Sequence, residues 1–181
     1  MPVAAIFLDR DGVLNFNEIR NGRPYAPTRL EDFRLLPGVV EATRRLKDAG
    51  FTLIVATNQP DISQGKAQRE TLEAMHALLR EWLPIDDIRV CPHTDADACS
   101  CRKPKPGLLL SAARERDINL AASYMVGDRW RDVAAGKSAG CTTVLVEYHY
   151  DEPEPDSPDA VVGSLSEAAD WILRRERGEL K

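Results

Sequence analysis

The stretch VAAIFLDRDGVLN, residues 3–15, sets the reading of the whole chain. Its apolar run VAAIFL (3–8) leads without interruption into Asp9, then Asp11, then Gly12. A short apolar run bounded by turn residues reads as a buried strand. If the backbone stays extended past its end, a spacing of two places both carboxylates on one side. Gly12 then permits a turn or a close backbone approach. The question is why a buried strand should deliver two acids to one edge.

Working outward, the same kind of run recurs. FTLIVAT (51–57), DDIRVC (86–91), ASYMVG (122–127) and TTVLVE (142–147) read as further strands, and AVVG (160–163) as a final edge strand. Helical patterns lie between them. PGVVEATRRLKDAG (37–50) carries Pro37 in its first turn and Gly50 past its end. In 67–83, Leu72, Met75, Leu79 and Trp82 fall at helical spacing, which predicts core packing for Met75 and Trp82 and a surface place for His76. Residues 106–116 and WRDVAAGKSAG (130–140) read as helices, and Ser164 with Glu167 forms a capping-box pattern opening a last one. Alternating strand and helix predict a Rossmann-like α/β fold, a doubly wound parallel sheet with helices on both faces. Residues 15–36 read as a polar loop. Residues 148–159, rich in proline and acid, read as an extended surface connection or a segment folded over the site. Neither 15–36 nor 58–85 leaves room for a separate lid, so the expectation is one domain over 1–181 with no cap.

The chain has 181 residues, 43% hydrophobic and 29% charged, with a formal net charge of -5. Those proportions suit one globular core. The acidic balance argues against nucleic-acid binding, which wants a basic face. No apolar run reaches a membrane-spanning length, and the start lacks the charged and apolar regions of a signal peptide, so a cytoplasmic protein is expected.

In a doubly wound sheet, ligands bind beyond the carboxyl ends of the strands. The chemistry-bearing residues cluster at those ends. Asp9 and Asp11 follow the first strand; Asp128 and Asp132 follow YMVG. Two unit charges about 4 Å apart repel by roughly 4 kcal/mol at an effective dielectric of 20, so such a cluster calls for a cation. Oxygen ligands with few histidines point to Mg²⁺, which often binds a phosphate as well. Thr57 and Asn58 end the second strand with a hydroxyl and an amide. CRKPKPG (101–107) brings Arg102, Lys103 and Lys105, cations suited to phosphoryl oxygens. CPHTDADACSC (91–101) sets Cys91, His93, Cys99 and Cys101 within eleven residues, a donor set suited to a closed, structural Zn²⁺ site. Cys141 has no nearby partner and reads as a small core residue.

Taken in order, FLDRDGVLN, VATNQ, CRKPKPG and VGDRWRD resemble the four motifs of the haloacid dehalogenase superfamily of phosphohydrolases. The resemblance implies a mechanism. Asp9 would be the nucleophile and form an aspartyl-phosphate, while Asp11 would protonate the leaving alcohol and then activate water. Mg²⁺ would bridge Asp9, Asp128, the Asp11 carbonyl and the phosphate. Thr57 and Lys103 would hold the transferring oxygens. Asp132 would be either a further acidic residue of the metal site or an orienter of the others. The cysteine loop and the missing cap resemble the branch of that superfamily that acts on a heptose bisphosphate or on histidinol phosphate. By that resemblance Thr57, Asn58, Gln59, Arg102 and Lys103 would meet substrate, Arg129 would lie beside metal and phosphate, and Asn17, with Glu18 nearby, would face the sugar. CRKPKPG favours the heptose bisphosphate; the five-residue gap between His93 and Cys99 is closer to the histidinol-phosphate branch. The implied partner is a small phosphorylated substrate, with no nucleic acid and no membrane; the sequence does not set the oligomeric state, and a monomer is the expectation.

Overall fold

A computed structural model describes residues 1–180. Six parallel strands form the sheet: β1 (Ala5–Leu8), β4 (Thr52–Asn58), β5 (Asp87–Cys91), β6 (Tyr124–Gly127), β7 (Thr142–Val146) and β8 (Ala160–Val162), in the order β5-β4-β1-β6-β7-β8. β1 lies between β4 and β6, with Ala5 opposite Thr52 and Ile6 opposite Tyr124. Its alternate residues serve two cores. Ile6 and Leu8 pack with α1 (Val39–Asp48), α2 (Arg69–Trp82) and α5 (Leu165–Glu176); Ala5 and Phe7 pack with α3 (Gly107–Arg116) and the end of α4 (Trp130–Ala139). Both faces are covered, which is why the run lacks polar alternation. The doubly wound architecture is the one the sequence predicts, and no cap intervenes among the described residues. Among them, no helix is long and apolar enough to cross a membrane.

Four local expectations change. Residues 15–36 are not simply loop: β2 (Glu18–Arg20) and β3 (Arg23–Tyr25) pair antiparallel across Asn21-Gly22, both at positive φ. Asn-Gly between short extended segments is a hairpin signal that the polar composition hid. Pro37 lies before α1, whose N-cap is Gly38 at φ 77. On α2 the buried stripe is Leu72, Met75, His76 and Leu79, while Trp82 remains 37% exposed and stacks on Phe33 at 6.2 Å. His76 turns inward because it meets Arg10, which is fully buried: Arg10 Nη1 lies 3.2 Å from His76 Nε2. Burial and the adjacent Arg10 push the His76 pKa down to about 4, so the imidazole is neutral at pH 7 and able to accept from that guanidinium.

Candidate active site

The β1 ladder continues one residue past the strand, with the Asp9 N–H donating to the Val126 carbonyl at 2.9 Å. Asp9 thus stands at the junction of β1 and β6. Its Oδ1 accepts from the Arg10 N–H at 2.8 Å and from Lys103 Nζ at 2.9 Å. Lys103 comes from the loop before α3 and is 2% exposed. Its ammonium also donates to Asp132 Oδ1 at 2.6 Å and to the Ala56 carbonyl at 2.7 Å, so all three of its protons are used. Burial works against its charge, but Asp132 and Asp9 outweigh that and hold its pKa above the ordinary lysine value.

Asp9, Asp128 and Asp132 are buried and offer oxygens that all lie within 4.8 Å of one another. Burial, reinforced by Asp132, raises the Asp9 pKa to about 6 despite Lys103. Burial and the charges of Asp9 and Asp132 also hold Asp128 well above the carboxylate range. Asp132 is committed on both oxygens, since its Oδ2 accepts from the Arg129 N–H at 3.0 Å at the start of α4. These contacts tie the start of α4 to the Lys103 ammonium. Asp128 is different: its Oδ1 is buried without a hydrogen-bond partner among the described residues. Gly12 makes this approach possible. A Cβ there would fall 2.0 Å from Asp128 Oδ2, and φ is +84°. A buried all-oxygen donor set with one orphaned carboxylate oxygen fits a hard divalent cation such as Mg²⁺.

Asp11 shares the cleft but stands outside that triplet. Its Oδ1 accepts from Arg10 Nη2 at 2.9 Å, Arg10 Nε at 3.1 Å and Asn15 Nδ2 at 2.9 Å; its Oδ2 accepts from Gln59 Nε2 at 2.8 Å. The guanidinium behind it is held by His76 and by the face of Phe33 at 5.6 Å.

The cleft has a volume of about 240 Å³, and its lining includes Asn17, Asn58, Lys66, Lys103, Arg129 and Arg131. Asn58 clamps the Lys103 peptide, donating to its carbonyl at 3.0 Å and accepting from its N–H at 3.1 Å. Thr57 is enclosed, and its hydroxyl accepts from Gln59 Nε2 at 2.9 Å. Arg102 departs from the expectation. Its Nε donates to Asp95 Oδ1 at 2.9 Å and its Nη1 to the His93 carbonyl at 3.1 Å, and it lines a neighbouring cavity instead. Arg131 takes the place beside the cleft, bonded to Asp95 and to the Lys103 carbonyl. Arg10, Asn15 and Arg131 join the site without being expected from the sequence. Arg10 sits between the two aspartates in sequence, and only the structure shows its guanidinium fully buried behind Asp11.

Cys91 ends β5, with Asn58 as its register partner on β4. Cys101 Sγ lies 3.1 Å from Cys91 Sγ, 3.5 Å from Cys99 Sγ and 3.4 Å from His93 Nδ1. The four side chains converge so that their donor atoms all lie within 4.8 Å of one another. Three thiols and one imidazole so gathered fit a tetrahedral Zn²⁺ by donor chemistry.

A family model described as HAD-hydrolase-like matches residues 100–168. The chain is 39% identical to D-glycero-beta-D-manno-heptose-1,7-bisphosphate 7-phosphatase of Escherichia coli K12, over 94% of this chain and 88% of that one. It belongs to that family of haloacid dehalogenase-like hydrolases. The family's Pseudomonas putida member of the same name is 41% identical over 78% of this chain and 81% of its own. The crystal structure of D,D-heptose 1,7-bisphosphate phosphatase from B. bronchiseptica, complexed with magnesium and phosphate, superposes with a TM-score of 0.79 at 33% identity, covering 96% of this chain and 99% of that one. This haloacid dehalogenase-like chain is a phosphatase, and phosphatases of this type use Mg²⁺.

Proposed function

We propose that this phosphatase removes the 7-phosphate of D-glycero-D-manno-heptose 1,7-bisphosphate through an aspartyl-phosphate on Asp9. One observation carries the chemistry: a buried carboxylate at the end of the central strand, tied to a buried lysine and grouped with Asp128, one of whose oxygens has no partner among the described residues. Asp9 attacks phosphorus. Asp11 gives its proton to the departing sugar oxygen, then takes one from the water that opens the acyl-phosphate. Arg10, Asn15 and Gln59 hold that carboxyl in place. Lys103 lines the cleft where the transferring oxygens would sit, Thr57 and Gln59 are enclosed outside that lining, and Asn17, Asn58 and Arg129 border the substrate. Asp9, Asp128 and the Asp11 main-chain carbonyl would hold Mg²⁺, which neutralises phosphate charge when bound. Cys91, His93, Cys99 and Cys101 hold a structural Zn²⁺ in this reading, and the loop they pin runs straight into Lys103.

The choice of sugar rests on the relatives. A second cavity adjoins the cleft, but its Arg20, Arg34 and Lys66 are matched by Glu18, Asp32 and Asp61, so its charge does not select a second phosphate. The test is kcat/KM for phosphate release from the heptose bisphosphate and from histidinol phosphate, with Mg²⁺ and protein purified without chelators. We expect a preference of about 100-fold or more for the bisphosphate, the scale of a site built around substrate polar groups. Equal or inverted preference overturns the substrate.

Elemental analysis of the same protein should find one zinc per chain that excess Mg²⁺ does not displace. Stripping it should loosen the 92–103 loop and lower both thermal stability and phosphatase rate. Protein free of zinc with full activity would defeat the structural-zinc reading.

A further inference from the structure

Beyond β7 the chain crosses one side of the cleft, and three successive residues tie it down. The Tyr150 hydroxyl donates to Asp128 Oδ2 at 2.6 Å and accepts from Asn17 Nδ2 at 2.8 Å. The Asp151 N–H donates to the Gly22 carbonyl in the β2–β3 turn at 2.8 Å. Glu152 accepts from one edge of the Arg129 guanidinium with both carboxylate oxygens, Oε2 from Nε at 2.9 Å and Oε1 from Nη2. Tyr148 stacks on Tyr150 at 5.5 Å, nearly parallel. The 148–155 segment is therefore a strap with specific anchors.

Its effect on Asp128 is asymmetric. Oδ2 receives the Tyr150 hydroxyl, with Asn17 Nδ2 more distant at 3.4 Å, and Oδ1 receives nothing. A carboxylate bonded on one oxygen cannot rotate freely about its last torsion. We propose that Tyr150 is a positioning residue that occupies Asp128 Oδ2 so that Oδ1 alone is presented to the divalent cation. This rests on the Mg²⁺ reading above, and goes beyond it by assigning the orientation of one ligand to a strap outside the four motifs. Partners that orient a metal-binding carboxylate are commonly worth 10–100-fold in metal affinity.

The test is Mg²⁺ affinity by isothermal titration calorimetry for the full chain and for Tyr150→Phe, zinc retained in both. The expected result is a dissociation constant raised about 10–100-fold, with kcat recovered at saturating Mg²⁺. Tyr148→Phe keeps the stack and should bind Mg²⁺ like the parent. A merely structural role for Tyr150 would lower kcat at every Mg²⁺ concentration and leave the dissociation constant unmoved. Unchanged affinity in Tyr150→Phe overturns the proposal; a parent chain that binds no Mg²⁺ overturns the metal reading instead. A crystal structure of the unaltered chain with Mg²⁺ asks the same without substitution. Tyr150 still bonded to Oδ2 supports the assignment, and a displaced hydroxyl with both Asp128 oxygens on the metal defeats it.

Discussion

Asp9→Asn is expected to abolish phosphate release, by about 10⁴–10⁶-fold, the range seen when a covalent nucleophile is removed. The fold should survive. In the native site burial and Asp132 push the Asp9 pKa up to about 6, so the ionised carboxylate is held at a cost that an amide of the same shape avoids. Lys103 keeps Asp132 and the Ala56 carbonyl as acceptors. Thermal unfolding of the variant, measured without added Mg²⁺, should therefore match or exceed the parent. The two readouts separate the roles, since lost activity with retained stability marks a chemical group. Activity above about one per cent of the parent would exclude Asp9 as the nucleophile.

Lys103→Met should act in the opposite way, on stability as well as on rate. The ammonium is 2% exposed and is the cation bonded to both Asp9 and Asp132. Its removal leaves two buried carboxylates without that partner, and breaking a buried pair in this manner costs about 3–5 kcal/mol. Urea denaturation should show that loss in the midpoint with little change in slope. Adding Asp132→Asn to Lys103→Met removes one orphaned charge, and should restore part of the stability while leaving phosphate release low. Parent-like stability in Lys103→Met would show that the lysine's contacts are not the balance of that cluster.

The strands and the acids at their ends were legible because both signals are local. A short apolar run declares a strand buried on both faces, and the rule that such sheets bind ligands at their carboxyl ends turns Asp9, Thr57 and Asp128 into one candidate site. The cysteine loop was legible for the same reason, all four donors lying within eleven residues. What escaped depends on distant partners. His76 sits beside an apolar stripe, and only the buried Arg10 guanidinium, 66 residues away, explains why it turns inward. Arg131 lines the cleft and Arg102 does not, although Asp95, distant from Arg131 in sequence, accepts from both. Nothing in YHYDEPEPDSPD reveals that its third residue reaches Asp128, 22 residues earlier in the chain.

The place of β1 in the middle of the sheet governs how the molecule can come to exist. The Ala5 N–H donates to Ser123 Oγ, 118 residues further on, and Asp9 meets Lys103 across 94 residues. During synthesis β1 must wait with an open edge until β6 has been translated. Contacts of such long sequence separation slow folding and leave apolar edges available to other chains meanwhile. No fragment that stops short of Asp128 can hold it beside Asp9, so the proposed site cannot assemble before β6 and the residue after it have been made.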